Sequence, residues 1–128
     1  MSVIKIQGTD DTPTVILDKE NNIFEISGRS LPEDVVVFYK PILEWLDEYG
    51  MQPNQETQMV FNLEYYNSAS LRKFADILKK LKQIGTASGT KVSAIWYYED
   101  GDESSCENAE DLASSIGIDL EMKLVGEA

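Results

Sequence analysis

The chain of 128 residues, 42% of them hydrophobic, has the size of one compact domain with its own core. Its 23 acidic residues against 11 basic ones give a formal charge of -12, which repels a phosphate backbone and argues against nucleic acid as a partner. Histidine is absent, which removes the commonest general acid/base and metal ligand together, and the lone Cys106 excludes an internal disulfide and a CxxC zinc site.

From the N-terminus, Met1 to Gly8 lacks the apolar stretch of a signal peptide, and the longest apolar run, Val35 to Tyr39, is far too short to span a bilayer. A cytoplasmic protein forming a single domain over residues 1–128, with no membrane segment, is the expectation. Short β-branched or aromatic runs at Val3–Ile6, Thr14–Leu17 and Ile23–Ser27 are separated by polar turns, and residues 18–22 look like a hairpin loop. The chain therefore opens with antiparallel strands. Ser30-Leu-Pro-Glu33 has the spacing of a capping box with a proline in the first turn and predicts a helix start. Val35, Phe38, Ile42, Trp45, Leu46 and Tyr49 form the apolar face of that helix, Pro41 is expected to kink or divide it, and Gly50 marks its end.

Met59, Phe61, Leu63 and Tyr65 alternate with Val60, Asn62, Glu64 and Tyr66, the period of a central strand with one buried face. This strand runs into Asn67-Ser-Ala-Ser70, after which Leu71, Phe74, Ala75, Leu78 and Leu81 repeat at helical spacing as far as the Gly85 region. Val92 to Tyr98 reads as a strand, and the acidic stretch Glu99–Glu103 as a loop. Ala109, Leu112, Ala113 and Ile116 read as a short helix stopped by Gly117, and Leu120, Met122 and Leu124 as a last strand. The order β-β-β-α-β-α-β-α-β predicts an α/β fold, a mixed β-sheet with flanking α-helices in which the later crossovers are parallel and right-handed.

The junction Tyr65-Tyr-Asn-Ser-Ala-Ser-Leu71 is the most informative segment. Exposed backbone N–H groups and the positive end of a helix dipole meet there, so a phosphate on the Ser68 hydroxyl would be stabilised. The alternative is that Asn67 or Ser68 only caps the helix, and spacing by itself does not decide. The following helix displays Arg72, Lys73, Lys79, Lys80 and Lys82, either a recognition face for a kinase or target or a solvated helix surface. Asp100 and Asp102 lack the ligand spacing of a calcium loop and read as a polar turn. Trp96, Tyr97 and Tyr98 are a docking surface or core and rim packing, and Cys106 has no histidine to activate it. An enzyme would need a nucleophile, a base and a pocket, whereas this chain offers serines and carboxylates without histidine or a phosphate loop. The reading is of a non-catalytic protein without metal or cofactor.

Several segments in order resemble the SiaC family of regulatory phosphoproteins, distant relatives of the STAS-domain anti-sigma-factor antagonists. They are Ile26-Ser-Gly-Arg-Ser-Leu-Pro-Glu33, Phe38-Tyr-Lys-Pro-Ile-Leu-Glu-Trp-Leu46, Leu63-Glu-Tyr-Tyr-Asn-Ser68, Trp96-Tyr-Tyr-Glu99 and Ala109-Glu-Asp-Leu112, and they cover nearly the whole chain. The resemblance implies a STAS-like fold. It further implies phosphorylation of the hydroxyl residue after the Asn of the strand-helix turn, here Ser68 in place of the family's threonine, by a dedicated serine/threonine kinase and its removal by a PP2C-type phosphatase. The next two family positions usually carry hydroxyls, and here they are Ala69 and Ser70. By the same resemblance the unphosphorylated protein binds and activates a diguanylate cyclase. Tyr66, Asn67, Ser68, Ala69, Ser70 and Arg72, at the junction and the start of its basic helix, are the expected partner-binding set. STAS relatives instead capture an anti-sigma kinase, which is the alternative function.

Overall fold

The computed structural model describes residues 1–126, and its element order follows the expected one: β1 (Ile4–Ile6), β2 (Thr14–Asp18), β3 (Ile23–Ser30), α1 (Val35–Tyr49), β4 (Glu56–Tyr66), α2 (Ser68–Ser88), β5 (Lys91–Tyr98), α3 (Glu103–Ile116) and β6 (Asp119–Leu124). The six strands form one mixed sheet in the order of the chain. The pairs β1–β2 and β2–β3 are antiparallel, and β3 through β6 are parallel.

Because each helix joins neighbouring strands, all three lie in one layer, with α2 packed against both α1 and α3. The core draws on one alternate set of strand residues, including Leu17, Ile26, Met59, Phe61 and Trp96, against Tyr39 and Ile42 of α1, Phe74 and Leu78 of α2 and Leu112 of α3. The other set faces away from the helices. There the register aligns Lys5, Ile16, Glu25, Val60, Ile95 and Glu121 in a row across all six strands.

Four expectations are corrected. Ser30 does not cap α1. It is the fully buried last residue of β3, and the cap is Asp34, whose Oδ1 accepts the Val37 N–H at 3.1 Å. Pro41 does not divide α1. The helix runs unbroken from Val35 to Tyr49, and both Pro41 and Val37, the residue whose carbonyl the missing N–H would have engaged, are exposed, away from the buried face. Gly85 lies inside α2, which runs on to Ser88. A Cβ at Gly85 would stand 2.8 Å from a Val92 methyl, so its smallness serves helix–strand packing rather than termination. Helix α3 begins at Glu103, so the acidic loop is shorter than its composition suggests.

A fifth difference positions the site. The β3–β4 pairing steps from Gly28↔Leu63 to Arg29↔Tyr65, which leaves Glu64 as an extra residue in β4 opposite Gly28 at φ +96°. One extra residue inverts the side-chain alternation beyond it. Tyr65 therefore turns outward, 51% exposed, and Tyr66 turns inward against Phe74 and Trp96.

Candidate functional site

The carboxyl ends of the parallel strands β3 and β4 meet the N-terminus of α2. Asn67 is the N-cap: its extended backbone precedes the helix, and its Oδ1 accepts the Ser70 N–H at 2.8 Å. Ser68 is the first helical residue and is exposed, with no acidic residue in this turn. Ala69 is half-buried beside it.

Ser70, two positions on, has no accessible surface. Its Oγ donates to the Ser30 carbonyl at 2.9 Å and lies 2.7 Å from the Ser30 hydroxyl, which in turn pairs with the Tyr39 hydroxyl at 2.6 Å. Three hydroxyls thus tie β3, α1 and α2 together beneath Ser68. Burial pushes the Tyr39 phenol up to about 12, against the opposing pull of the Ser30 and Ser70 hydrogen bonds. The assignment of Ser70 to a partner-contact surface is corrected by this burial: the side chain is an internal anchor.

Tyr66 links the site to the next helix. Its hydroxyl accepts the Asn108 side-chain N–H at 2.9 Å and reaches the Ser105 Oγ at 3.3 Å, while the Trp96 indole N–H donates to the same Ser105 Oγ at 2.9 Å. Trp96 is accordingly core, and Tyr97 and Tyr98 are half-buried. On the outer side, the Arg29 guanidinium lies 5.6 Å from the centre of the exposed Tyr65 ring and 3.7 Å from the Glu64 carboxylate.

Arg72, one helical turn after Ser68 on the same side of α2, is exposed. Lys73 pairs with Asp76 at 3.5 Å, and Lys80 pairs with Asp47 of α1 at 2.7 Å. Asp102, placed in the polar turn by its sequence, caps α3 by accepting the Ser105 N–H at 3.1 Å. The half-buried Cys106 nearby has its thiol pushed up by desolvation first, then by the carboxylates of Asp102, Glu110 and Glu103, so it stays protonated and weakly nucleophilic. Among the described residues, no group of three or more His, Cys, Asp or Glu side chains converges to hold a metal ion, and no helix is long and apolar enough to cross a membrane.

The sequence reading brought Tyr66, Asn67, Ser68, Ala69, Ser70 and Arg72 to one junction, and they are together there. It missed Ser30, Tyr39 and Ser105, the buried hydroxyls that hold the junction. Tyr39 had a signal: it precedes Ile42 by three and Leu46 by seven positions, the spacing of the buried stripe. Ser30 had none, because its partners are distant in the chain.

The sequence model describing SiaC family regulatory phosphoproteins matches residues 6–125. An uncharacterized protein from Pseudomonas aeruginosa (strain UCBPP-PA14) is 27% identical over 111 residues, 87% of each chain. SiaC of Pseudomonas aeruginosa shares the fold with a TM-score of 0.85 at 23% identity, over 97% of this chain and 99% of that one. A chain of the crystal structure of diguanylate cyclase SiaD in complex with its activator SiaC, from the same organism, shares it with a TM-score of 0.84 at 24% identity, over 94% of this chain and 98% of that one. With the family's sequence pattern running from the end of β1 through β6, the chain belongs to the SiaC family of regulatory phosphoproteins.

Proposed function

We propose that this protein is a cytoplasmic, single-domain partner switch whose unphosphorylated form binds and activates a diguanylate cyclase, and whose phosphorylation at Ser68 releases it. The observation that carries the reading is the contrast at one helix N-terminus between an exposed Ser68 and a buried Ser70. A kinase can reach the first hydroxyl in the folded protein and cannot reach the second. The complex of SiaD with its activator SiaC supports a cyclase as the target class. A serine/threonine kinase and a PP2C-type phosphatase complete the cycle.

A phosphoserine adds about -1.5 to -2 charges and three strong acceptor oxygens. Within the protein the positive end of α2 offsets part of that charge, by roughly 0.3–1 kcal/mol, so the fold is retained. At a partner surface shaped for a hydroxyl, the same group brings an unmatched charge, which typically costs about 2–5 kcal/mol. The protein contributes no chemistry of its own to cyclic-di-GMP synthesis. The test is an assay of diguanylate cyclases from the same genome with and without the unmodified protein. One of them is expected to be stimulated, and no stimulation of any would remove the reading.

A further inference from the structure

The sheet has two edges, and they differ. β1 offers only Ile4–Ile6, and the Ser2 carbonyl beside it is taken by the Trp45 indole N–H at 2.7 Å. β6 offers Asp119–Leu124, and among the described residues no strand pairs with its outer side. The Val125 N–H donates to the Tyr98 carbonyl at 2.8 Å. Because the backbone groups of alternate residues in a strand point to opposite neighbours, Asp119, Glu121 and Lys123 turn theirs toward β5, and Leu120, Met122 and Leu124 turn theirs outward. Their unpaired N–H and C=O groups form a template for a further strand.

The same residues carry the apolar side chains of this edge. Leu120 pairs with the buried Ala94 and Met122 with the buried Trp96, so they lie on the helix side of the sheet, where Met122 is 36% exposed. On the opposite side stand Glu121 and Lys123, with Met122 between them in the chain. Charged residues on an edge strand commonly repel a second strand. Here one is an acid and the other a base, placed symmetrically about Met122, which makes the edge complementary to itself when the incoming strand is antiparallel.

We propose that β6 pairs with β6 of a second copy of the chain, antiparallel, about a two-fold axis through Met122, joining two six-stranded sheets into one. In this register Met122 faces Met122 and Leu120 faces Leu124 as hydrogen-bonded pairs. Glu121 faces the second copy's Lys123 in the non-hydrogen-bonded positions, where side chains approach most closely, and symmetry makes that pair twice. An axis at Leu120 would set Asp119 against Glu121, one at Glu121 would set that carboxylate against itself, and one at Lys123 would oppose two ammonium groups. Charge therefore selects both the occupant and the register. Both helix layers then lie on one side of the joined sheet, with the two Ser68 hydroxyls at its opposite rims, clear of the seam. The edge is short and each chain carries a charge of -12, so the pairing is reversible, with a Kd on the order of tens to hundreds of micromolar.

Sedimentation of the full chain over a concentration series reaching millimolar reads the dimer directly, with Glu121→Lys and the double variant Glu121→Lys, Lys123→Glu as probes. Both positions lie on the sheet face away from the core, so circular dichroism should match wild type. Wild type is expected to dimerise, and its amide exchange at Leu120, Met122 and Leu124 should slow as concentration rises, a readout that needs no variant. Glu121→Lys opposes like charges at both symmetry-related pairs and should weaken the dimer about tenfold or more, although it lowers the net charge that keeps the chains apart. The double variant restores opposite charges and should return to within about threefold of wild type. A wild type that stays monomeric to millimolar would overturn the proposal. So would a dimer that Glu121→Lys leaves unchanged, a double variant that remains monomeric, or a wild-type dimer without protection of those amides.

Discussion

Helices α2 and α3 begin with the same local structure and opposite electrostatics. In each, an Asx side chain caps the helix by accepting the N–H of a serine three residues on, Ser70 from Asn67 at 2.8 Å and Ser105 from Asp102 at 3.1 Å. In each, that serine is buried and its hydroxyl is held by an aromatic residue, Tyr39 through Ser30 in one case and Trp96 directly in the other. An exposed serine precedes each anchor, Ser68 and Ser104. The difference is charge. The first turn of α3 carries Glu103 after the Asp102 cap, so its positive end is already satisfied, whereas α2 has a neutral cap, no acid in its first turn and Arg72 one turn on. A helix N-terminus becomes suited to accepting a phosphate when its own sequence leaves the dipole unanswered, and only α2 meets that condition.

The shared scaffold is the first thing to break. Phe74 of α2 is fully buried and lies 6.0 Å from Tyr39, 5.8 Å from Tyr66 and 6.1 Å from Trp96, ring centre to ring centre, so it supports the anchors of both helices. Phe74→Ala is expected to cost about 3–5 kcal/mol by denaturant unfolding and to speed amide exchange at Ser70 and Ser105 alike. Loss of protection at one junction alone would show that the two are not jointly held.

A titration separates the anchors. The Tyr39 phenol is raised from 10.0 to about 12. The unfolded chain therefore loses this proton first as pH rises. The stability contributed is complete below pH 10 and is lost between pH 10 and 12, by about 2–3 kcal/mol for a buried group. Melts of wild type and Tyr39→Phe over that range should show the wild type losing this margin relative to the variant, other titrations cancelling in the difference. A constant difference would mean that Tyr39 is not held by burial as described.

The smallest effect bears most directly on charge. Ser68→Asp places an anion at an unanswered dipole and is expected to stabilise the fold by about 0.3–1 kcal/mol, whereas Ser104→Asp beside Asp102 and Glu103 should give no gain. Equal gains in thermal melts at low salt would erase the distinction between the helices.

The strand-helix junction was legible in the sequence because its signals are local: alternation in residues 59–63, the Asn67 cap and the helical repeat from Leu71 to Leu81 all lie within a few residues of one another. What was not legible depends on contacts between distant segments. Ser30-Leu-Pro-Glu33 carries a capping-box spacing, yet Ser30 is claimed by β4 pairing and by Ser70, forty residues away. The bulge at Glu64 leaves no mark in the β4 pattern itself, since it arises from pairing with Gly28. Tyr66 therefore changes from an outward to an inward residue, and the tie between the two helix starts appears only in three dimensions.

The central claim is that phosphate on Ser68 turns partner binding off, and calorimetric titration of the stimulated cyclase tests it most directly. The proteins compared are unmodified, kinase-phosphorylated, Ser68→Ala and Ser68→Asp, with the modified residue identified by mass spectrometry. The unmodified and Ser68→Ala proteins should bind alike. The phosphorylated form should bind on the order of thirtyfold to several thousandfold more weakly, and Ser68→Asp in between, because a carboxylate carries less charge than a phosphate. Equal affinities for unmodified and Ser68-phosphorylated protein would contradict the account.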